Sequence, residues 1–254
     1  MLENKIVFIT GASSGIGKAC AQQFAKAGAK LILCARRMDK VHELADELHR
    51  QYQTECKVFE LDVRDLGQIK TTLQHLPCDW KDIDVLLNNA GLAAGLDTVA
   101  EGAIDDWEAM IDTNLKGLLY ITKEILPIMI ERDSGHIINI GSIAGHQVYP
   151  KGAVYCATKA AVNSITQGLR MDLLGKKIRV STVDPGAVET NFSVVRFKGD
   201  TVRSEAVYTG MTPLAADDVA NAVLYCASFP PHVNISEIII MPTDQAAASM
   251  VSRK

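Results

Sequence analysis

Short apolar runs recur at residues 5–10, 31–35, 56–61, 85–88, 136–140, 178–183 and 237–241, and most gaps between them carry a helical period. Several runs are unbroken Ile, Val and Leu, which is the pattern of strands covered on both faces. The helical stretches fall at 18–27, 39–50, 105–130, 154–174 and 216–228. Crossovers of this length suit parallel strands, and a right-handed crossover lays its helix back on one face of the sheet. The chain therefore reads as α/β: a doubly wound, seven-stranded, mostly parallel sheet with helices on both faces. No repeat, low-complexity tract or linker interrupts the pattern, so residues 1–254 are expected to form a single domain. Residues 186–213 break it with Gly, Thr, Asn, Asp and several charges. They are expected to be a long loop without regular structure, of the kind that serves as a functional lid.

Charge narrows what such a fold can serve. A net charge of −4 gives no basic footprint for nucleic acid, and no run of like charges forms a tail. The opening Met1-Leu2-Glu3-Asn4-Lys5 leads into an apolar run too short for a signal sequence. No stretch approaches the roughly 18 to 20 apolar residues of a bilayer crossing, so a cytoplasmic protein is expected. The six cysteines form no Cys-x-x-Cys pair and have no histidine at metal-ligand spacing. They read as reduced core residues, and no metal is expected.

The first strand runs straight into Thr10-Gly11-Ala12-Ser13-Ser14-Gly15-Ile16-Gly17, which opens the first helix. Backbone N–H groups at a helix amino end neutralise a pyrophosphate, and glycine permits both the tight turn and the close approach. Strand before and helix after make this a dinucleotide fingerprint at Gly11, Ser13, Ser14, Gly15, Ile16 and Gly17. Where NAD enzymes place a carboxylate, about 20 residues on, this chain reads Cys34-Ala35-Arg36-Arg37. Alanine removes a charge that would repel a 2′-phosphate, and Arg36 offers a planar fork for it, with Arg37 beside it. The cofactor expected is NADP. The other reading of Arg36 and Arg37, as the solvated start of the second helix, stays open at the level of sequence.

Further motifs follow in order: Asp62-Val63, Asn88-Asn89-Ala90-Gly91, Asn114, Ser142, Tyr155-Cys156-Ala157-Thr158-Lys159 and Pro185-Gly186. With Thr10–Gly17 they resemble the short-chain dehydrogenase/reductase family along the whole chain, which implies a Rossmann fold and an oxidoreductase. The resemblance implies adenine contacts at Asp62 and Val63, and a cofactor-side support at Asn89, Ala90 and Gly91. It sets Pro185 and Gly186 beside the nicotinamide, with Val188 and Thr190 near them. It also implies that Asn114 holds a water relaying protons through Lys159.

Spacing supports the assignment. Tyr155 and Lys159 stand four positions apart in a helical segment and share a face. An ammonium there, with the positive nicotinamide of an oxidised complex, is expected to lower a phenol that ordinarily titrates near pH ~10. Ser142 is placed to donate to a substrate oxygen as negative charge develops on it. Taken singly, each of these residues is equally a surface tyrosine, a turn serine or a helix-face lysine. His146, Trp80, Trp107 and Tyr149 are expected to pack or border the pocket.

The segment 192–200, Phe-Ser-Val-Val-Arg-Phe-Lys-Gly-Asp, resembles the substrate loop of NADP-dependent 3-hydroxy acid dehydrogenases, as does the tail from His232 to Gln245. That resemblance implies substrates of the serine, allo-threonine and 3-hydroxypropionate class. Arg196 would clamp their carboxylate while the 3-oxygen meets Tyr155 and Ser142. A lid arginine paired with a neighbouring carboxylate is the alternative. A broad carbonyl or diketone reductase and an NADP-binding regulator without turnover remain rival functions. The family resemblance further implies a homotetramer built on helices 105–130 and 154–174.

Overall fold

Two-sided burial falls where the unbroken apolar runs lie. In the computed structural model, which describes residues 2–254, every residue of β1 (Ile6–Thr10) and β4 (Val85–Asn88) is buried. β2 (Lys30–Ala35), β5 (Gly135–Ile140) and β6 (Ile178–Pro185) are nearly so, whereas β3 (Cys56–Glu60) and β7 (Glu237–Ile240) are the more open edges. The order is β3-β2-β1-β4-β5-β6-β7, and every neighbouring pair is parallel.

The pleat divides the core. Val7, Ile9, Leu31 and Leu33 face a layer closed by α1 (Gly15–Lys26), α2 (Met38–Tyr52) and α9 (Ala216–Ala227). Their chain neighbours Ile6, Phe8, Ile32 and Cys34 face α3 (Leu66–Gln74), α5 (Leu118–Arg132) and α6 (Ala153–Asp172). Strand order reverses between β1 and β4, so a crevice opens beyond their carboxyl ends.

The structure departs from the expectations in four places. α3 was not among the predicted helices, although Asp65 caps it by accepting from Gln68 N at 3.0 Å. The predicted helix 105–130 is α4 (Ile104–Ile111), a π-helical turn Asp112–Gly117, and α5. The turn is held where Gly117 backs directly onto Val63 and the Asn114 side chain is drawn off to Leu92. The lid segment is largely ordered into α7 (Phe192–Arg196) and α8 (Thr201–Ala206). Lys198 and Gly199, at φ +54° and +93°, end α7, and Asp200 caps α8 through Arg203 N at 3.0 Å. Lastly, the tail folds as an antiparallel pair, β8 (Gln245–Ala247) and β9 (Met250–Val251).

All six cysteines are free; Cys20, Cys34, Cys156 and Cys226 are buried as core residues, whereas Cys56 is half-buried and Cys78 exposed. Among the described residues no helix is long and apolar enough to cross a membrane.

Gly17 shows how tightly the first helix seats. A Cβ there would press on the Gly11 carbonyl oxygen and the Asn89 amide, and the backbone oxygen cannot step aside. Gly17→Ala should therefore cost about 1–3 kcal/mol, lowering the melting temperature by roughly 2–12 °C. Thermal unfolding followed by circular dichroism measures this, and an unchanged midpoint would show that helix and loop can part.

Candidate active site

Hydrogen bonds between the ends of β1 and β4 shape the floor of the crevice. Thr10 Oγ1 donates to the Leu87 carbonyl at 3.3 Å and accepts from the N–H groups of Asn89 and Ala90, each at 3.0 Å. Asn89 Nδ2 donates to the Thr10 and Gly11 carbonyls at 2.9 and 3.1 Å. The loop so fixed turns through Gly11 and Gly15 at φ +66° and +55°, a backbone region that favours glycine.

Beyond the loop lies a cleft of about 1050 Å³. Nearly every sequence-predicted residue lines it: Gly11, Ser13, Ser14, Gly15 and Ile16, then Arg36, Arg37, Asp62 and Val63, and Asn89 to Gly91. Ser142, Tyr155, Lys159, Pro185, Gly186, Val188, Thr190 and Arg196 complete the set. Gly17 and Asn114 do not. Gly17 is buried under the loop. Asn114 lies one layer back, its Oδ1 accepting from Leu92 N and its Nδ2 donating to Leu92 O, both at 2.8 Å, and to Thr158 Oγ1 at 3.1 Å.

The cleft fits a dinucleotide phosphate. The amino end of α1 opens into it with no side-chain cap and no acidic residue in its first turn, leaving N–H groups for an anion. Thr190 closes over Gly15, its Cβ 3.4 Å from where a Cβ of that glycine would stand. Arg37 stands at the start of α2, as one reading of it expected. Its Nη2 reaches back to donate to Ser13 and Ser14 hydroxyls at 3.0 and 2.8 Å. Arg36 lies exposed beside Ala35, with no carboxylate at that strand end. The Asp62 carboxyl is held down by hydrogen bonds from Arg64.

Ser142 precedes the short turn Ile143–Gly145, its Oγ accepting from Ala144 N at 3.1 Å and donating to the Pro185 carbonyl at 3.4 Å. α6 presents Tyr155 and, one turn later, Lys159, both buried. Lys159 Nζ donates to the Ile140 carbonyl at 2.8 Å. Gly91 lies between this ammonium and Asn114, since a Cβ there would sit 3.6 Å from Nζ and 3.2 Å from Asn114 Oδ1. Burial pulls Lys159 down to about 8, with Asp184 opposing. Tyr155 corrects an expectation, because in this structure its phenol is pushed up. Burial is the largest cause and Tyr149 adds to it, while the Ser142 hydrogen bond and the Arg196 charge pull the other way.

Arg196 sits on the Tyr155 side of the cleft. Its Nε donates to the Gly95 carbonyl and its Nη1 to Tyr149 Oη, each at 3.0 Å. The guanidinium carbon is 5.5 and 5.8 Å from the ring centres of Tyr149 and Tyr155. Among the described residues no carboxylate pairs with it, against the alternative of a lid ion pair.

Trp80 is buried in the core as expected, and Tyr149 is a wall of the cleft. His146, expected to pack or to line the pocket, instead bonds Asp184 behind Ser142 and lies outside the lining. Sequence reasoning missed Phe192, Tyr208, Gln245 and Arg253. Phe192 meets the Tyr155 ring edge-on at 5.8 Å. Tyr208 Oη donates to the Val188 carbonyl at 2.8 Å, and Gln245 Oε1 accepts from Ala187 N at 2.8 Å. Arg253 donates to the carbonyls of Val207 and Thr209. Phe192 and Gln245 lie in the two segments that resemble the 3-hydroxy acid subgroup, but nothing there singles out either one, and Tyr208 and Arg253 fall outside every motif.

A family profile described as short chain dehydrogenase matches residues 5–200. An NADP-dependent 3-hydroxy acid dehydrogenase of Schizosaccharomyces pombe is 45% identical over 254 residues, spanning 100% of this chain and 98% of that protein. Sulfoacetaldehyde reductase 2 of Chromohalobacter salexigens is 45% identical over 242 residues, or 95% of each chain. The closed form of a serine dehydrogenase complexed with NADP+ superposes with a TM-score of 0.93 at 44% identity, covering 98% of this chain and 99% of that one. With its sheet order, glycine loop and Tyr155–Lys159 helix in the same frame, the chain belongs to the short-chain dehydrogenase family.

Proposed function

We propose that this NADP-dependent oxidoreductase interconverts 3-hydroxy acids, of the serine, allo-threonine and 3-hydroxypropionate class, with their 3-oxo acids or semialdehydes, and that Tyr155 is its acid/base. The observation that carries the substrate half is Arg196, a guanidinium fixed beside Tyr155 without a carboxylate partner. Gly95 takes its Nε hydrogen and Tyr149 one hydrogen of Nη1. The outer edge, with Nη2 and the second Nη1 hydrogen, is left for a bidentate carboxylate.

Bound NADPH supplies a hydride to the carbonyl carbon, and NADP+ takes it up in oxidation. Tyr155 Oη gives the proton to the carbonyl oxygen, and Ser142 Oγ turns its single hydrogen from the Pro185 carbonyl to that oxygen as charge grows on it. The Ser142 hydrogen bond and the Arg196 charge already oppose the burial that pushes the phenol up; Lys159, one turn further on and charged below about 8, would make a phenolate less costly still. It can draw a replacement proton from a water near Asn114. Because the Asn114 amide is already committed, its backbone carbonyl in the π turn is the group of this residue assigned to that water. Ala35 and the two arginines after it favour the 2′-phosphate.

A sulfonate is also an oxyanion with oxygens to spare for a guanidinium edge. The similarity to a protein named as a sulfoacetaldehyde reductase makes a sulfonated aldehyde the second substrate class to test. Exposed Leu119 and Ile130 on α5, and Met171 on α6, suit burial in the homotetramer that the family resemblance implies.

The decisive experiment compares NADP+ reduction with L-serine, L-allo-threonine and 3-hydroxypropionate against a neutral secondary alcohol. Arg196→Ala should raise KM for the acids about 10- to 100-fold, the worth of a charged hydrogen bond, and leave the alcohol nearly unchanged. Equal losses on both would leave a general carbonyl reductase. Tyr155→Phe should lower kcat by about 10²- to 10⁴-fold while NADPH still binds by fluorescence titration. Ala35→Asp should shift the ratio of dissociation constants toward NADH by about tenfold or more, one such step being roughly 1.4 kcal/mol of lost phosphate binding.

A further inference from the structure

Behind Ser142, away from the cleft, polar side chains from four elements meet. His146 ends the turn that Ser142 begins. Its Nε2 lies 2.9 Å from Asp184 Oδ2 on β6, 3.2 Å from Glu237 Oε1 on β7 and 3.1 Å from the Asn163 amide nitrogen on α6. The proposed proton chemistry uses none of these groups. The Asp184 side chain is fully buried, and its Oδ1 has no hydrogen-bond partner. One imidazole nitrogen thus serves two carboxylates, which leaves acceptors in excess of donors.

We propose that His146 is a positioning residue for Ser142: its bond to Asp184 ties the turn carrying Ser142 to the end of β6 that leads into Pro185 and Gly186. The backbone here has little freedom to move otherwise. Gly141 lies so close on Asp184 Oδ1 that no Cβ fits between them, and its N–H donates to the Val183 carbonyl at 2.9 Å. Gly145 packs on the Lys159 carbonyl, where a Cβ would stand 2.8 Å away. Ser142 Oγ donates to the carbonyl of Pro185, the residue after Asp184. Any shift between His146 and Asp184 is therefore passed to the hydroxyl that faces the reacting oxygen, and an error of about 1 Å at such a group can cost about 10²-fold in rate.

The tie carries a pH signature. Asp184 is faced by His146 from the turn, Glu237 from β7, and Lys159 and Asn163 from α6. Burial raises its carboxyl to about 6, with Glu237 adding and His146 opposing. Asp184 thus gains a proton at a higher pH than an ordinary carboxyl would, and its bond with His146 loses the carboxylate's charge. An acid limb in kcat follows. Because Glu237 helps to raise that value, Glu237→Gln should move the limb to lower pH.

The inference rests on Ser142 and Tyr155 carrying the proton chemistry, and not on any one substrate. Rates are measured with whichever carbonyl compound the wild type reduces, across pH values on both sides of the Asp184 titration. His146→Ala should lower kcat by about tenfold or more, with KM and the NADPH dissociation constant within about twofold. His146→Gln, which can still donate to Asp184, should recover part of the loss. If His146→Ala does not fold, His146→Gln and Glu237→Gln carry the test. Unchanged kcat in both His146 variants, or an acid limb unmoved in Glu237→Gln, overturns the proposal. So does a loss of kcat matched by equal losses of NADPH affinity and thermal stability. A wild type that reduces no carbonyl sinks the functional reading and this inference together, whereas turnover indifferent to His146 sinks the inference alone.

Discussion

The hydroxyl of Thr10 joins the two lips of the crevice on which the rest of the molecule depends. Where the strand order of a parallel sheet reverses, the crossovers diverge and nothing in the backbone ladder sets the width of the gap beyond the strand ends. Thr10 Oγ1 and the Asn89 amide set it here, with bonds to Leu87, Asn89, Ala90 and the glycine loop. From β4 the linkage continues through side chains. Asn88 Nδ2 donates to Asn139 Oδ1 on β5 at 2.9 Å, and Asn139 Nδ2 to Thr166 Oγ1 on α6 at 2.8 Å. The glycine loop and α6 are thus joined by buried polar bonds, and a buried polar group deprived of its partner is costly.

What sequence could disclose followed from whether a function needs a local pattern. The central strands were legible because burial on both faces leaves uninterrupted Ile, Val and Leu, as in Leu31, Ile32 and Leu33. The glycine loop was legible because Gly11 and Gly15 answer a backbone demand few residues meet. The π turn at Asn114 was not. It arises from Gly117 meeting Val63 and from Asn114 reaching Leu92, contacts between segments distant in the chain. Gln245, Tyr208 and Arg253 were invisible for the same reason, each acting through a backbone group of another segment. His146 looked like a pocket residue by its proximity to Ser142, yet the turn between them aims it at Asp184, Glu237 and Asn163, outside the lining of the cleft.

The phenol of Tyr155 shows how spacing and environment argue in different directions. Four positions on a helix bring Lys159 to its side, but the same burial that makes the site dry raises the phenol and lowers the amine. A dry site strengthens every charge placed in it and penalises every charge left alone. The arrangement therefore leaves the tyrosine in its neutral, proton-bearing form until compensating charge is adjacent.

Arg196 latches the lid as well as facing the cleft. Its own backbone carbonyl accepts from Gly95 N at 3.0 Å while its Nε donates to the Gly95 carbonyl, a reciprocal clasp between α7 and the loop after β4. On the other flank, Arg253 fastens the segment after α8 to the tail. An anion arriving at Arg196 would be held by the clasp itself. On the proposed reading, substrate capture and lid closure are then one event, and a neutral alcohol, lacking that handle, would meet a door with no reason to stay shut.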